Sequence, residues 1–457
     1  MSRREFLVFA GTGIAVASTS CVNWPRHAGS GRPNIIFIFV DDMGYADLSC
    51  YGNKDVQTAN IDRLAEQGIR FKQFYVNSPI CSPSRVAVTT GMYPARWGIY
   101  SYLSSRSAND KRGMADYLDP AAPSLARTLK QAGYATGHFG KWHMGGGRDV
   151  DDAPHPQAYG FDKSVVSFEG LGARVLPPGG LSRQSEKLGQ GDIRHAEKHD
   201  LTEIYVNRAI EFIRENKDKP FYINLWPNDV HDSHRPKPEL LEKYKEFADN
   251  KYKQRFYAVL DELDRQIGRV TEEIERLGLD DSTLIVFASD NGPTDRDDYY
   301  EEGFEPPGSV GPLYGRKWSL YEGGIRVPFV VRWKGTIPQG KVNEESVICG
   351  LDLFASLCSI AGIDLEVTNF DGEDMSRALM GREIRRSSPI FWEYRRNEHY
   401  LKPGNPDYVS PNLAVREGDW KLLIKDDGSD VQLYNLRKDI GETTNLVEEY
   451  PKVAGRL

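Results

Sequence analysis

Three apolar runs in this chain each lead into a cluster of acidic or amide side chains. Asn34-Ile35-Ile36-Phe37-Ile38-Phe39-Val40 has no polar position after its first residue, the pattern of a strand covered on both faces. Asp41-Asp42-Met43-Gly44 follows it directly. Phe221 to Trp226 feeds Asn228-Asp229-Val230-His231, and Thr283 to Ala288 stops at Asp290-Asn291-Gly292. Helical periodicity fills the intervals. Ile61, Leu64 and Ala65 share a face that ends at Gly68. Ser124 to Gly133 predicts a capped helix leading through a short strand to Gly140-Lys141-Trp142-His143. Asp200 with Glu203 predicts a capping-box start to a helix bearing Ile204, Ala209, Ile210 and Ile213. Tyr257 to Leu277 predicts another helix. A further helix is expected from Ser84 onward, with Cys81-Ser82-Pro83-Ser84-Arg85 at its N-terminus, where free backbone N–H groups favour anions.

Strand, helix, strand in repetition predicts an α/β fold: a large mixed, mainly parallel sheet with helices on both faces. Carboxylates at the C-terminal ends of such strands sit where open α/β sheets place their ligands. Residues from about Gly145 to Lys198 are rich in Gly, Pro and Asp and predict a long loop region. Past Gly381 the texture changes. Pro389 to Tyr394, Leu413 to Val415, Trp420 to Ile424 and Val431 to Tyr434 predict a four-stranded antiparallel sheet, with turns at Gly418-Asp419 and Asp427-Gly428. The expected division is a main domain over 33–380 and a smaller α+β subdomain over 381–457.

The chain has 457 residues, enough for two cooperating domains. Its net charge of −8 argues against general affinity for nucleic acid or anionic membrane, so cations for an anionic substrate must be concentrated locally. Residues 1–21 read as an export leader of twin-arginine type. Ser2-Arg3-Arg4-Glu5-Phe6-Leu7 opens an apolar run too short for a membrane span, which needs about 20 residues. Cys21 is either a lipidation site or lies near a plain cleavage site. The expected location is periplasmic or at the cell surface. Five cysteines offer no disulfide framework: apart from Cys21 and Cys81 they are Cys50, Cys349 and Cys358, irregularly spaced.

Asp41, Asp42, Asp290 and Asn291 make a hard, all-oxygen set suited to Ca²⁺ or Mg²⁺ rather than zinc. One acid at a turn is ordinarily just solvated; four such residues after buried strands point to a cation.

Cys81-Ser82-Pro83-Ser84-Arg85 with Thr90-Gly91 resembles the signature of the type I sulfatases, whose cysteine is oxidised to formylglycine (3-oxoalanine). The likeness continues in order through Asp41-Asp42-Met43-Gly44, Gly140-Lys141-Trp142-His143, His231, Asp290-Asn291-Gly292, and Lys317 with Tyr321 to Pro328. It ends in Trp420-Lys421-Leu422, Leu433-Tyr434-Asn435-Leu436 and Glu442 to Leu446. The resemblance implies an alkaline phosphatase-like fold and hydrolysis of a sulfate ester. It implies formylglycine at residue 81 as nucleophile and metal ligand, beside Asp41, Asp42, Asp290 and Asn291, with Ca²⁺ ahead of Mg²⁺. Arg85 would hold the gem-diol, Lys141 and Lys317 would bind sulfate oxygens, His143 would help expel sulfate, and His231 would be general acid. Asp232-Ser233-His234-Arg235-Pro236 departs from relatives that have proline two residues after the histidine. The implied partners are a sulfated saccharide and a formylglycine-generating enzyme.

Two stretches are expected to shape the substrate pocket: Asp295 to Val310, and Trp392 to Tyr408. In the second, Arg395 and His399 are candidate substrate contacts among rings suited to sugar faces. A galactose or N-acetylgalactosamine 4-sulfate is the expected target. The alternatives are a formylglycine-dependent phosphonate or phosphate ester hydrolase, or a non-catalytic, calcium-dependent glycan-binding protein.

Overall fold

A computed structural model describes residues 31–145, 150, 152–167, 174–176, 194–296, 300–301, 303–365 and 370–457. The expected export leader with Cys21, and part of the loop region from 145 to 198, lie outside them. In chain order the main layer contains β1 (Asn34–Val40), α1 (Ala59–Glu66), β2 (Ile69–Phe71), α2 (Cys81–Thr90), α3 (Leu125–Gln131), β3 (Ala135–Lys141) and β4 (Lys163–Ser167). It continues with α4 (Leu201–Asn216), β5 (Phe221–Trp226), α5 (Lys251–Arg276), β6 (Thr283–Ser289), β7 (Phe329–Arg332), β8 (Lys341–Asn343) and α6 (Asp352–Ile360). The eight strands lie in the order β8-β2-β7-β6-β1-β5-β3-β4. Only β7 runs antiparallel to its neighbours, β6 and β2.

β1 shows why the sheet is covered on both sides. Its residues alternate between faces, as strand geometry requires. Ile35, Phe37 and Phe39 enter a core with Val86, Leu125, Leu129 and Phe354. Ile36, Ile38 and Val40 enter a second core with Ile61, Leu64, Val206, Ile210 and Leu263. Helices α2, α3 and α6 therefore cover one face, and α1, α4 and α5 the other.

Four further strands, β9 (Ile390–Glu393), β10 (Leu413–Glu417), β11 (Trp420–Ile424) and β12 (Gln432–Asn435), pair antiparallel in sequence order. A buried charge network ties this sheet to the main layer. Lys421 Nζ on β11 donates to Glu322 Oε1 at 3.0 Å and pairs with Glu442 Oε1 at 2.9 Å, all three side chains fully buried.

Local corrections concern two helix starts and two caps. The helix expected from Ser84 begins at Cys81, so the pentapeptide forms its first turn. α5 begins at Lys251 because Asn250 Oδ1 accepts from the Tyr252 and Lys253 amides. Asp200 makes no capping bond, and Glu203 instead pairs with Lys237. Ser124 likewise leaves its helix uncapped, donating to the Tyr159 carbonyl at 2.6 Å. Among the described residues no helix is long and apolar enough to cross a membrane.

Candidate active site

The parallel strands deliver their ends to one rim. Val40 on β1 stands opposite Ser289 on β6, so Asp41 and Asp42 emerge beside Asp290 and Asn291. On the other side of β1, the Asp41 amide donates to the Asp229 carbonyl and Val230 donates back to Asp41 O, holding the segment after β5 against β1. Lys141 ends β3, next to β5 and in register with Ser167 on β4. Backbones pack too closely here for side chains: a Cβ on Gly292 would lie 1.9 Å from Gly323 O, and one on Gly44 2.3 Å from Ser309 O. Asp42, His143 and Trp318 all adopt left-handed φ values (60°, 49° and 69°), a strained backbone for non-glycine residues that concentrates at functional sites.

Three buried carboxylates face three buried cations. Lys141 Nζ donates to both oxygens of Asp41, at 2.9 and 2.7 Å. Lys317 Nζ donates to Asp42 Oδ1. Arg85 donates from Nε and Nη2 to Asp290 Oδ2 at 3.1 and 2.7 Å, and from Nη1 to Lys141 O at 3.2 Å. Burial opposes ionisation of Asp41, yet the Lys141 and Arg85 charges outweigh it and hold this carboxyl well below its usual range. Asp42 goes the other way, to about 7: burial dominates, and Asp41 and Asp290 add like charge against Lys317. Burial works against Lys317 too, but Asp42 keeps its ammonium well above the ordinary value.

Cys81 stands at the centre. Its Sγ lies 3.4 Å from Lys317 Nζ and 3.6 Å from Asp41 Oδ1. Burial first, then Asp290, pushes its thiol far above the usual range, so an unmodified Cys81 is protonated and a poor nucleophile at neutral pH. His231 is neutral: burial, then Lys317, lowers its pKa well below 6.5. Its Nδ1–H donates to Asp232 O at 2.7 Å, which leaves the Nε2 lone pair 3.5 Å from Asp42 Oδ2. His143 is neutral for the same first reason; it contacts Leu103 O through Nε2 at 3.1 Å, and its Nδ1 is buried without a partner.

The donor set fits a hard cation. Ligand atoms of Asp41, Asp42, Cys81 and His231 lie within 4.8 Å of one another, all buried. Asp42 Oδ2 and Asn291 Oδ1 are buried with no hydrogen-bond donor, two oxygens that a divalent ion would satisfy. Asn291 is oriented by its Nδ2, which donates to Asp42 Oδ1 at 2.7 Å. Asp290, expected as a ligand, gives one oxygen to the Asp42 amide and the other to Arg85.

Of the two expected substrate contacts, Arg395 is partly buried and follows β9, whereas His399 is exposed, with its Nε2 3.9 Å from Glu398 Oε1. Sequence reasoning passed over Lys198 and Ser167. Lys198 Nζ donates to the His231 carbonyl, although the residue falls in a stretch with no periodicity to mark it. Ser167, the last residue of β4, donates to Asn228 Oδ1 at 2.9 Å.

The Sulfatase family model matches residues 33–363, and the model for the C-terminal part of N-sulphoglucosamine sulphohydrolase matches 312–455. An N-acetylgalactosamine-6-O-sulfatase of Bacteroides thetaiotaomicron is 30% identical, over 94% of this chain and 92% of its own. A structure solved in work on the metabolism of multiple glycosaminoglycans by the same organism superposes with a TM-score of 0.75 at 28% identity, covering 94% of this chain and 98% of that one. A third relative, crystallised in complex with k-i-k-neocarrahexaose, gives a TM-score of 0.75 at 27% identity, covering 93% and 90% of the two chains.

Proposed function

The chain belongs to the sulfatase family and is a sulfuric ester hydrolase, and from that premise we propose that it removes a 6-O-sulfate from an N-acetylgalactosamine-type unit of a saccharide. The 4-sulfate expected from the sequence has no support in these relatives; similarity to an N-acetylgalactosamine-6-O-sulfatase favours position 6. One observation carries the reading. The Cys81 side chain shares a buried rim with Lys317, and through Asp41 with Lys141, so a sulfate ester seated there meets two ammonium groups.

Formylglycine at residue 81 would supply a geminal diol, whose one oxygen would serve as nucleophile toward the sulfate ester and whose other would assist sulfate release. A divalent ion, which Asp41, Asp42, Asp290 and Asn291 would hold and which is read as Ca²⁺, would lower the cost of ionising a diol hydroxyl. Charge favours such an ion: Lys141, Lys317 and Arg85 are each already paired with a carboxylate. A sulfate monoester and an ionised hydroxyl would otherwise enter the rim without counter-charge.

The chain's own residues do the rest. Each lysine ammonium has three N–H donors, so Lys141 and Lys317 can hold their carboxylates and still donate to sulfate oxygens as charge builds in the in-line transition state. Arg85 pairs with Asp290 and holds it in place. His231 is held in one tautomer by Asp232 O, with Nε2 directed toward the rim; the negative charge of an arriving sulfate raises its affinity for the proton that an alkyl leaving group requires. Conversion of Cys81 calls for a formylglycine-generating enzyme, and the twin-arginine leader fits export of the folded chain.

The test is sulfate release, followed by ion chromatography, from N-acetylgalactosamine 6-sulfate and 4-sulfate in parallel. Faster release from the 6-sulfate is the expected result. Preference for the 4-sulfate would overturn the regiochemistry, and release from neither would overturn the saccharide assignment.

A further inference from the structure

Arg395 carries a charge that no carboxylate among the described residues balances. It follows β9 with a left-handed φ of 64°, and its Nε is buried with no acceptor. The side chain is partly buried, and the titratable groups around it are two tyrosines, Tyr394 and Tyr321, with no carboxylate among them. Its neighbour shows the ordinary arrangement: Arg396 bonds both oxygens of Glu393 and lies over the Tyr100 ring at 3.5 Å. Burying a guanidinium without a counter-ion costs free energy that packing alone does not return.

The segment that follows Arg395 is tied at two points to residues that lead to the rim. Downstream, Tyr400 OH donates to Arg112 O at 3.0 Å, and Arg112 Nη1 holds Tyr102 O at 2.7 Å. The next residue, Leu103, is the one whose carbonyl meets His143. Further on, Gly404 and Asn405 donate their amides to the backbone and side chain of Asp295, in the segment that leaves Asn291. One end of the strap is thus tied beside His143 and the other beside the strand end carrying Asn291.

We infer that Arg395 is a subsite for a second anionic group on the saccharide, a carboxylate or a further sulfate, next to the ester that is cleaved. The planar fork of a guanidinium matches either group with two parallel hydrogen bonds, and the ligand would bring the counter-charge that the fold withholds. The inference rests on the saccharide reading above and narrows it to substrates with at least two negative groups.

The test is titration calorimetry on the Cys81→Ala chain, which needs no turnover. Three probes are used: N-acetylgalactosamine 6-sulfate, N-acetylgalactosamine 4,6-disulfate, and a uronate-containing disaccharide carrying the 6-sulfate. With Arg395 intact, one of the two doubly charged probes should bind about tenfold or more tighter than the singly charged one. Which of them gains identifies the second group as sulfate or carboxylate. Adding Arg395→Gln should bring that ratio close to one, and Arg395→Lys should keep part of it. Equal affinity for all three probes with Arg395 intact would overturn the subsite. So would a ratio that survives Arg395→Gln, or a uniform loss on all probes accompanied by a lowered melting temperature. Hydrolysis by the unsubstituted enzyme is read separately, so failure of sulfate release bears on the proposed activity while the binding ratio still decides Arg395.

Discussion

Arg85 and Asp290 form a two-pronged ion pair with both side chains fully buried, Nε and Nη2 of the arginine converging on one carboxylate oxygen. The guanidinium also lies near the rings of Phe39 and Trp226, at 5.7 and 5.3 Å from their centroids, so it is packed as well as paired. Removing one partner leaves the other as an uncompensated buried charge. Arg85→Leu should therefore destabilise the fold by about 3–5 kcal/mol, read by urea denaturation. Arg85→Lys, which keeps the charge but loses the fork, should cost clearly less. Equal losses would show that packing rather than charge dominates.

The two lysines are the expected donors to the sulfate itself. Lys141→Ala or Lys317→Ala should each lower kcat/KM by about 10²–10³-fold, the loss seen when one donor to a developing anion is removed. Because each lysine also compensates an aspartate in the same cluster, the double variant should fall short of the product of the single effects. Steady-state kinetics on a saccharide sulfate would check both points; multiplicative losses would mean independent roles.

Dialysis against EDTA should inactivate the enzyme, with Ca²⁺ restoring it better than Mg²⁺. Ion binding to the folded chain alone should also raise stability, by about 2.7 kcal/mol at a hundredfold excess over the dissociation constant. Thermal melts with each ion measure this without reference to catalysis. Asn291→Ala should shrink the shift, since it removes one of the two partnerless oxygens.

His138 gives a pH dependence with a definite sign. Its Nε2–H meets Lys141 O at 3.2 Å and its Nδ1 accepts from Asn224 Nδ2 at 3.4 Å, a pattern that uses both nitrogens of the neutral ring. Burial lowers its pKa from 6.5 to about 3. The unfolded chain therefore binds the proton more readily between those values. The stability at stake is fully present above pH 6.5 and falls by about 1.4 kcal/mol for each unit below it. Between pH 7.5 and 5, His138→Gln should lose about 2 kcal/mol less than the unsubstituted protein in urea denaturation. Parallel curves would remove His138 as a source of acid sensitivity.

The main strands were legible because they are buried on both faces: β1 and β5 have the predicted bounds and β6 adds one residue, since an unbroken apolar run has little else to do in a soluble fold. The four-stranded C-terminal sheet was readable from its turns. The helices after Asp200 and Ser124 begin where expected, but their capping bonds were not legible. Asp200 and Ser124 have the residue types of caps, but tertiary contacts claimed Glu203 and the Ser124 hydroxyl. At the rim, the motif residues Asp41, Asp42, Asp290 and Asn291 could be placed together because parallel neighbours end at one edge. Lys198 could not: it reaches the His231 carbonyl from a stretch without pattern, and only the fold brings the two together. The presence of His231 among the potential cation ligands was equally invisible, because the distance from β5 to the β1 rim is set by backbone bonds between Asp41 and the segment Asp229–Val230.

The peptide containing Cys81, taken from enzyme that releases sulfate, is the most direct measure of the central claim. Its mass should be about 18 Da below that of the cysteine form, the signature of formylglycine and distinct from the mass gains of ordinary thiol oxidation. An unmodified Cys81 mass in fully active enzyme would contradict the account.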